Sequence, residues 1–140
     1  MDARVLQEAA EYIKGHEGIS LKPYYCTANK LSIGIGRNLD DRGITKEECM
    51  FLFNTDLKLT LSDLYRVFDD FDTLPDTAQI VLLDMMFQLG LVRFCGFNKM
   101  IKQIKARNWE EAAKELMDSK YAKQVPSRAE HNRDRLLSIK

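Results

Sequence analysis

Glu17, Cys26 and Ser32 are a carboxylic acid, a thiol and a hydroxyl, spaced nine and six residues apart. The acid can protonate a leaving group. The thiol, once ionised, can attack an electrophilic carbon or draw a proton from water. The hydroxyl can orient that water. At an ordinary pKa of ~8.5 a thiol is only a few per cent ionised at neutral pH, so Cys26 needs a depressed pKa to serve as a base. By themselves these three groups fix no reaction: Glu17 also reads as a surface carboxylate at a helix end, Cys26 as a small semi-buried residue of a hairpin, and Ser32 as a polar residue on a strand.

Two elements must bring these groups together. Val5, Leu6, Ala9, Ala10 and Ile13 recur at three and four residues, so the spacing predicts an amphipathic helix over about 3–15. Gly15 and Gly18 bracket its end, with Glu17 just past it. The helix dipole and partial burial there would favour the uncharged acid that a proton donor needs. Tyr24-Tyr25-Cys26 then leads through a Thr-Ala-Asn-Lys turn into a return run, Leu31 to Gly36. In that run Leu31, Ile33 and Ile35 share one face, and Ser32, Gly34 and Gly36 the other. An all-small face admits close approach, so the acid, thiol and hydroxyl can point into one groove.

The remaining chain reads as helices. Thr45 and Glu48 form a capping box that opens a long helix running to Phe68. Leu74-Pro75-Asp76 breaks the pattern, and Asp76 with Gln79 opens the next helix. Ala78, Val81, Leu82, Met85, Met86 and Leu89 give that helix an apolar stripe, with Gly90 suited to its C-terminal cap. A helix over about 93–106 follows, another capped by Asn108 and Glu111, and a last one capped by Ser127 and Glu130 that reaches Leu137. The expected fold is α+β, mostly α-helical, with one small antiparallel sheet.

Composition narrows the classes. The chain has 140 residues, 45% hydrophobic and 30% charged, which suits one globular domain of two lobes. Its formal net charge is zero and no aromatic-basic patch interleaves, which argues against a nucleic-acid binder. Residues 40–76 hold ten acids and four bases, and residues 119–140 hold six bases and two acids. These segments are either solvated faces or, for the basic one, a hold on an anionic polymer. No continuous apolar run approaches ~18 residues, and the N-terminus lacks the apolar stretch of a signal peptide. Cys26, Cys49 and Cys95 are odd in number and lack metal-ligand spacing, so free thiols in a reducing cytoplasm are expected, with no cofactor or metal.

The motif resembles the phage-type lysozymes, the muramidase family typified by the lysozyme of the T-even phages. Their pattern is Glu, eight residues, Asp or sometimes Cys, five residues, Thr, then Ile-Gly-x-Gly. Here it is Glu17, Cys26, Ser32 and Ile33-Gly34-Ile35-Gly36. Three later segments follow in the family's order: Ile44-Thr45-Lys46-Glu47 with Leu52-Phe53-Asn54-Thr55-Asp56, then Met86-Phe87-Gln88-Leu89-Gly90, then Pro126-Ser127-Arg128-Ala129. The resemblance implies a lysozyme-like fold with a small lobe over about 17–45, a connecting helix over about 45–70, and a helical lobe over about 74–140 joined by the N-terminal helix. It implies cleavage of the β-1,4 bond between N-acetylmuramic acid and N-acetylglucosamine in peptidoglycan. Glu17 would be the general acid, with Ser32 assisting. Cys26 would be either a nucleophile, giving retention, or a thiolate base, giving inversion. Leu39, Phe87 and Gln88 would line the cleft, while Met100 and Glu115 stand where the family has further polar cleft residues. Asp56 would pair with Arg37. Arg128 would face Glu17 and, if paired with it, oppose the effect of burial. A monomeric endolysin is implied, with no stable membrane anchor, made in the host cytoplasm and acting on the cell wall after release. The alternative is a catalytically weak peptidoglycan-binding or structural phage protein.

Overall fold

A computed structural model describes all residues, 1–140. It holds seven helices and one three-stranded antiparallel sheet of order β1-β2-β3, an α+β fold as expected. The chain divides into two compact units, Met1–Phe51 and Leu52–Lys140.

The first unit carries α1 (Ala3–Glu17), β1 (Ser20–Tyr25), β2 (Leu31–Gly34), β3 (Arg37–Asn38) and the first turns of α2 (Lys46–Val67). α1 starts on Asp2, whose side chain accepts the Arg4 amide at 2.8 Å, satisfying a donor left free at a helix start. It ends on Gly18, whose φ of 70° suits a residue without a Cβ. Glu17 is thus the last helical residue, and it is exposed, so the expected partial burial is not found. β2 is the central strand, pairing Tyr24 with Ser32 on one side and Asn38 with Ser32 on the other. The register between β1 and β2 shifts between Ser20 and Tyr24, where Pro23 lacks a ladder donor. The strict alternation of the return run stops at Gly34, because Ile35 and Gly36 turn the chain into β3. That third strand is too short to leave a periodic signal.

The second unit is built around α3 (Asp76–Cys95), whose Ala78, Val81, Leu82, Met85 and Met86 are buried. Gly90, at φ 78° and ψ 166°, kinks α3 where a helix end was expected. By length and composition α3 is apolar enough to cross a membrane, although no uninterrupted apolar run was found; its buried face makes it the core helix of this unit. The rest of α2 contributes Leu64, and Phe68 and Phe71 follow it into the core. α4 (Asn98–Lys105), α5 (Trp109–Met117), α6 (Lys120–Gln124) and α7 (Pro126–Leu137) complete the unit. α6, one turn long, was not foreseen. α7 begins at Pro126, so Ser127 lies inside it and caps nothing, a correction explained by the preference of proline for the first helical turn.

The Thr45–Glu48 capping box forms as expected: the Thr45 amide donates to Glu48 Oε1 at 2.8 Å and the Glu48 amide to Thr45 Oγ1 at 3.1 Å. The Arg37 guanidinium also holds Glu48, and this, followed by the Thr45 amide, lowers the carboxyl from 4.5 to about 2. Ionised Glu48 is favoured by the fold, so its contribution is complete above about pH 4.5 and is lost as pH falls toward about 2. Thermal unfolding of the wild type is expected to drop through that window, and Glu48→Gln to flatten the drop. Parallel melting curves for the two proteins across it would contradict the assignment.

Candidate active site

Glu17, Cys26 and Ser32 all lie in the first unit, around one strand. The Glu17 carboxyl leans over the turn that follows β2. A Cβ placed on Gly36 would stand 2.8 Å from Glu17 Oε2 and 2.9 Å from its Cδ. A side chain there would push the exposed Glu17 carboxyl aside, and Gly36 also sits at φ 66°, where a Cβ is strained. Gly34 shares the left-handed conformation, at φ 72°, but a Cβ there would meet nothing within 4 Å.

Cys26 sits at the opposite end of β2, in the turn before it. Its amide donates to the Lys30 carbonyl at 2.9 Å, and its carbonyl accepts the Asn29 amide at 2.8 Å. Asn29 adopts φ 60°, which closes this turn. The closed turn aims backbone N–H groups at the sulfur. The Lys30 amide first, then the Ala28 amide, hold the thiol below its ordinary pKa, with the Ser32 hydroxyl adding to them and desolvation opposing. Ser32 is buried at 2% exposure and its Oγ donates to the Lys30 carbonyl at 3.1 Å. A hydroxyl has one proton, so it serves the carbonyl or the ionised sulfur by rotating. Gly36 lies four positions beyond Ser32, a span of at most roughly 13 Å. One strand therefore carries the thiol's partner near its start and the acid's seat just past its end.

The supporting residues are placed differently from expectation. Arg37 grips Glu48 with two parallel bonds, Nη1 to Oε1 at 2.8 Å and Nη2 to Oε2 at 2.7 Å, where Asp56 had been expected. The Glu48 carboxylate already stands beside β3 because the capping box fixes it, whereas Asp56 is exposed farther along α2. Arg128, expected opposite Glu17, is bound through Nε and Nη2 to the Asp84 carboxylate. Asn132 also donates to Asp84, at 2.8 Å, and reaches the buried Tyr121 hydroxyl at 3.3 Å. The basic tail is thus partly neutralised, since Arg133 likewise pairs with Asp134.

Leu39 is half-buried in the first unit, its amide donating to the Leu31 carbonyl at 2.7 Å. Phe87 and Gln88 are exposed on the last turn of α3 before its kink, and Phe87 meets Phe53 edge-on at 5.6 Å. Met100 is buried, and Glu115 lines a hollow of about 270 Å³ with Lys99, Asp118 and Ser119. Glu48 and Asp84 are the charged residues that sequence reasoning did not assign to these arginines. Asp84 left a signal, a carboxylate set within the apolar stripe of α3.

Comparison with known proteins identifies the family. The sequence model of the phage lysozyme family matches residues 14–134. The chain belongs to that family. It is therefore a glycoside hydrolase, a lysozyme-like peptidoglycan hydrolase, and the matched segment contains all three chemical residues. The lysozyme is 27% identical to probable T4-type lysozyme 1 of Dictyostelium discoideum, over 92% of this chain and 91% of that one. It is 26% identical to probable T4-type lysozyme 2 of the same organism, over 94% and 69%. It is also 28% identical to the pre-baseplate central spike protein Gp5 of Enterobacteria phage T4, over 86% of this chain but 26% of that protein.

Two outcomes test the site. Gly34→Ala and Gly36→Ala carry the same backbone strain, about 1–2 kcal/mol. Only Gly36→Ala should displace the acid and lower lytic activity about a hundredfold, the scale of an ångström-sized misplacement; equal losses in the two variants would refute the contact. In a Cys49→Ser/Cys95→Ser background, iodoacetamide should modify Cys26 with a half-rise at lower pH than in the unfolded chain. Ser32→Ala should move that half-rise upward, and an unmoved curve would remove Ser32 from the thiol's environment.

Proposed function

We propose that this lysozyme cleaves the β-1,4 bond between N-acetylmuramic acid and N-acetylglucosamine with Glu17 as general acid and Cys26 in the place of a second carboxylate. The observation that carries this is the pair of local environments set at the two ends of β2. One is a carboxyl seated against bare backbone, and the other is a thiol ringed by N–H and O–H donors. A proton donor and a base or nucleophile are the two roles that must act from opposite faces of a sugar. Glu17 protonates the glycosidic oxygen as the bond to the anomeric carbon breaks. The Cys26 thiolate then either bonds to that carbon, to be displaced by water with Glu17 now taking the proton, or takes a proton from the attacking water directly. The Ser32 hydroxyl turns toward the sulfur or the water as charge develops. Leu39, Phe87 and Gln88 are assigned to substrate contact, Gln88 through both ends of its amide.

The biological setting proposed is that of a monomeric, unanchored endolysin. It is made in the cytoplasm of the producing bacterium and reaches the cell wall on release, lysing the host. The likeness to the spike protein Gp5 favours a second reading, a catalytically weak peptidoglycan-binding or structural component of a phage particle. Immunoblotting of purified virions against infected-cell lysate separates the two.

Turbidity clearing of purified sacculi tests the chemistry. Glu17→Gln and Cys26→Ala are each expected to lose about a hundredfold or more in rate, and Cys26→Asp to retain measurable lysis. Full activity in Cys26→Ala would remove the thiol from the mechanism. In the active protein, product anomers read by NMR identify the role of the sulfur, retention marking a thioglycoside and inversion a thiolate base.

A further inference from the structure

We propose that Arg37 and Glu48 are positioning residues for Glu17, fixing the turn on which its carboxyl rests. The inference rests on the reading of Glu17 as the acid. Gly36, against which that carboxyl packs, immediately precedes Arg37. The strand that continues from Gly36 is β3, only two residues long, paired through Ile33–Arg37 and Ser32–Asn38. A ladder this short holds its own ends weakly. The side chain of Arg37 supplies the missing anchorage. It binds both oxygens of Glu48, and Nη1 also donates to the Gly43 carbonyl at 3.2 Å. Its guanidinium is the less exposed partner, at 22% against 39% for the carboxylate.

A two-pronged Arg–carboxylate contact specifies an orientation as well as a distance. Glu48 cannot drift, because the capping box ties both its carboxylate and its amide to Thr45. The hydrogen-bonded links run from the start of α2, through Glu48 and Arg37, to the turn at Gly36, against which the acid packs. Because Glu48 stays ionised down to about pH 2, the clamp persists at every pH where a lysozyme would work. It is a fixed brace and not a switch.

Two variants isolate the brace. Glu48→Gln keeps a residue competent for the capping box but removes the charge that Arg37 grips. Arg37→Lys keeps the charge but loses the fork. With a soluble muropeptide, both should lower kcat about tenfold or more and leave KM within about twofold, the split expected when geometry at the reacting bond is lost. Lysine should give no rescue. Cys26 alkylation should stay within about twofold of wild type, since its turn lies at the other end of β2. The ¹³C carboxyl resonance of Glu17 should shift or broaden in both variants. Unchanged kcat, or a parallel loss of Cys26 reactivity, would overturn the proposal. If the wild type proves unable to hydrolyse muropeptide, the functional reading fails by itself. The Glu17 resonance then still decides: movement with Cys26 unaffected supports the brace, and an unmoved resonance overturns it.

Discussion

The carboxyl of Glu17 lies so close to Gly36 that a single added carbon would collide with it. Several features of the first unit bear on that approach. The helix α1 must end at Glu17, which the left-handed Gly18 accomplishes. The chain must turn sharply after β2, which Gly34 and Gly36 permit at positive φ. The turn must then be held, and the two-residue β3 is fastened through Arg37 to a carboxylate on the next helix. A close contact between an acid and backbone is useful only if neither side wanders.

The thiol is treated differently. No cationic side chain is needed to favour its ionised form, because backbone amides of a tight turn and one buried hydroxyl supply the donors. These donors belong to the fold and cannot swing away. Arg37 is engaged by Glu48, and Arg128, the arginine expected to face the acid, by Asp84. Asn132 and the buried Tyr121 extend the second of these pairs into the helical unit, where polar groups without partners would be costly. The zero net charge of the chain thus conceals a set of local pairings, each with its own geometric task.

Much of this was legible in the sequence, for definite reasons. Glu17, Cys26, Ser32 and the glycines after them stand out through the family motif they resemble, and residue type and spacing add only that a short hairpin brings them near one another. The buried face of α3 is read from its periodicity, and the capping box from Thr45 and Glu48. What escaped was of two kinds. β3 and α6 are too short for any period to register, and Pro126 displaced the expected cap at Ser127. The arginine partners escaped because a salt bridge depends on where loops carry the chain. The family resemblance offered Asp56 to Arg37, yet the loop from Asn38 to Gly43 brings Glu48 to it instead.

The proposed chemistry assigns the second catalytic role to a sulfur atom at the far end of the strand from the acid. Stoichiometric inactivation measures it most directly. With Cys49 and Cys95 replaced by serine, Cys26 is alkylated stepwise, and lysis of sacculi is followed against the modified fraction counted by mass spectrometry. Activity should fall in proportion to modified Cys26 and reach zero when every thiol is blocked, with soluble muropeptide slowing both changes together. Lysis that survives complete modification of Cys26 would contradict the account.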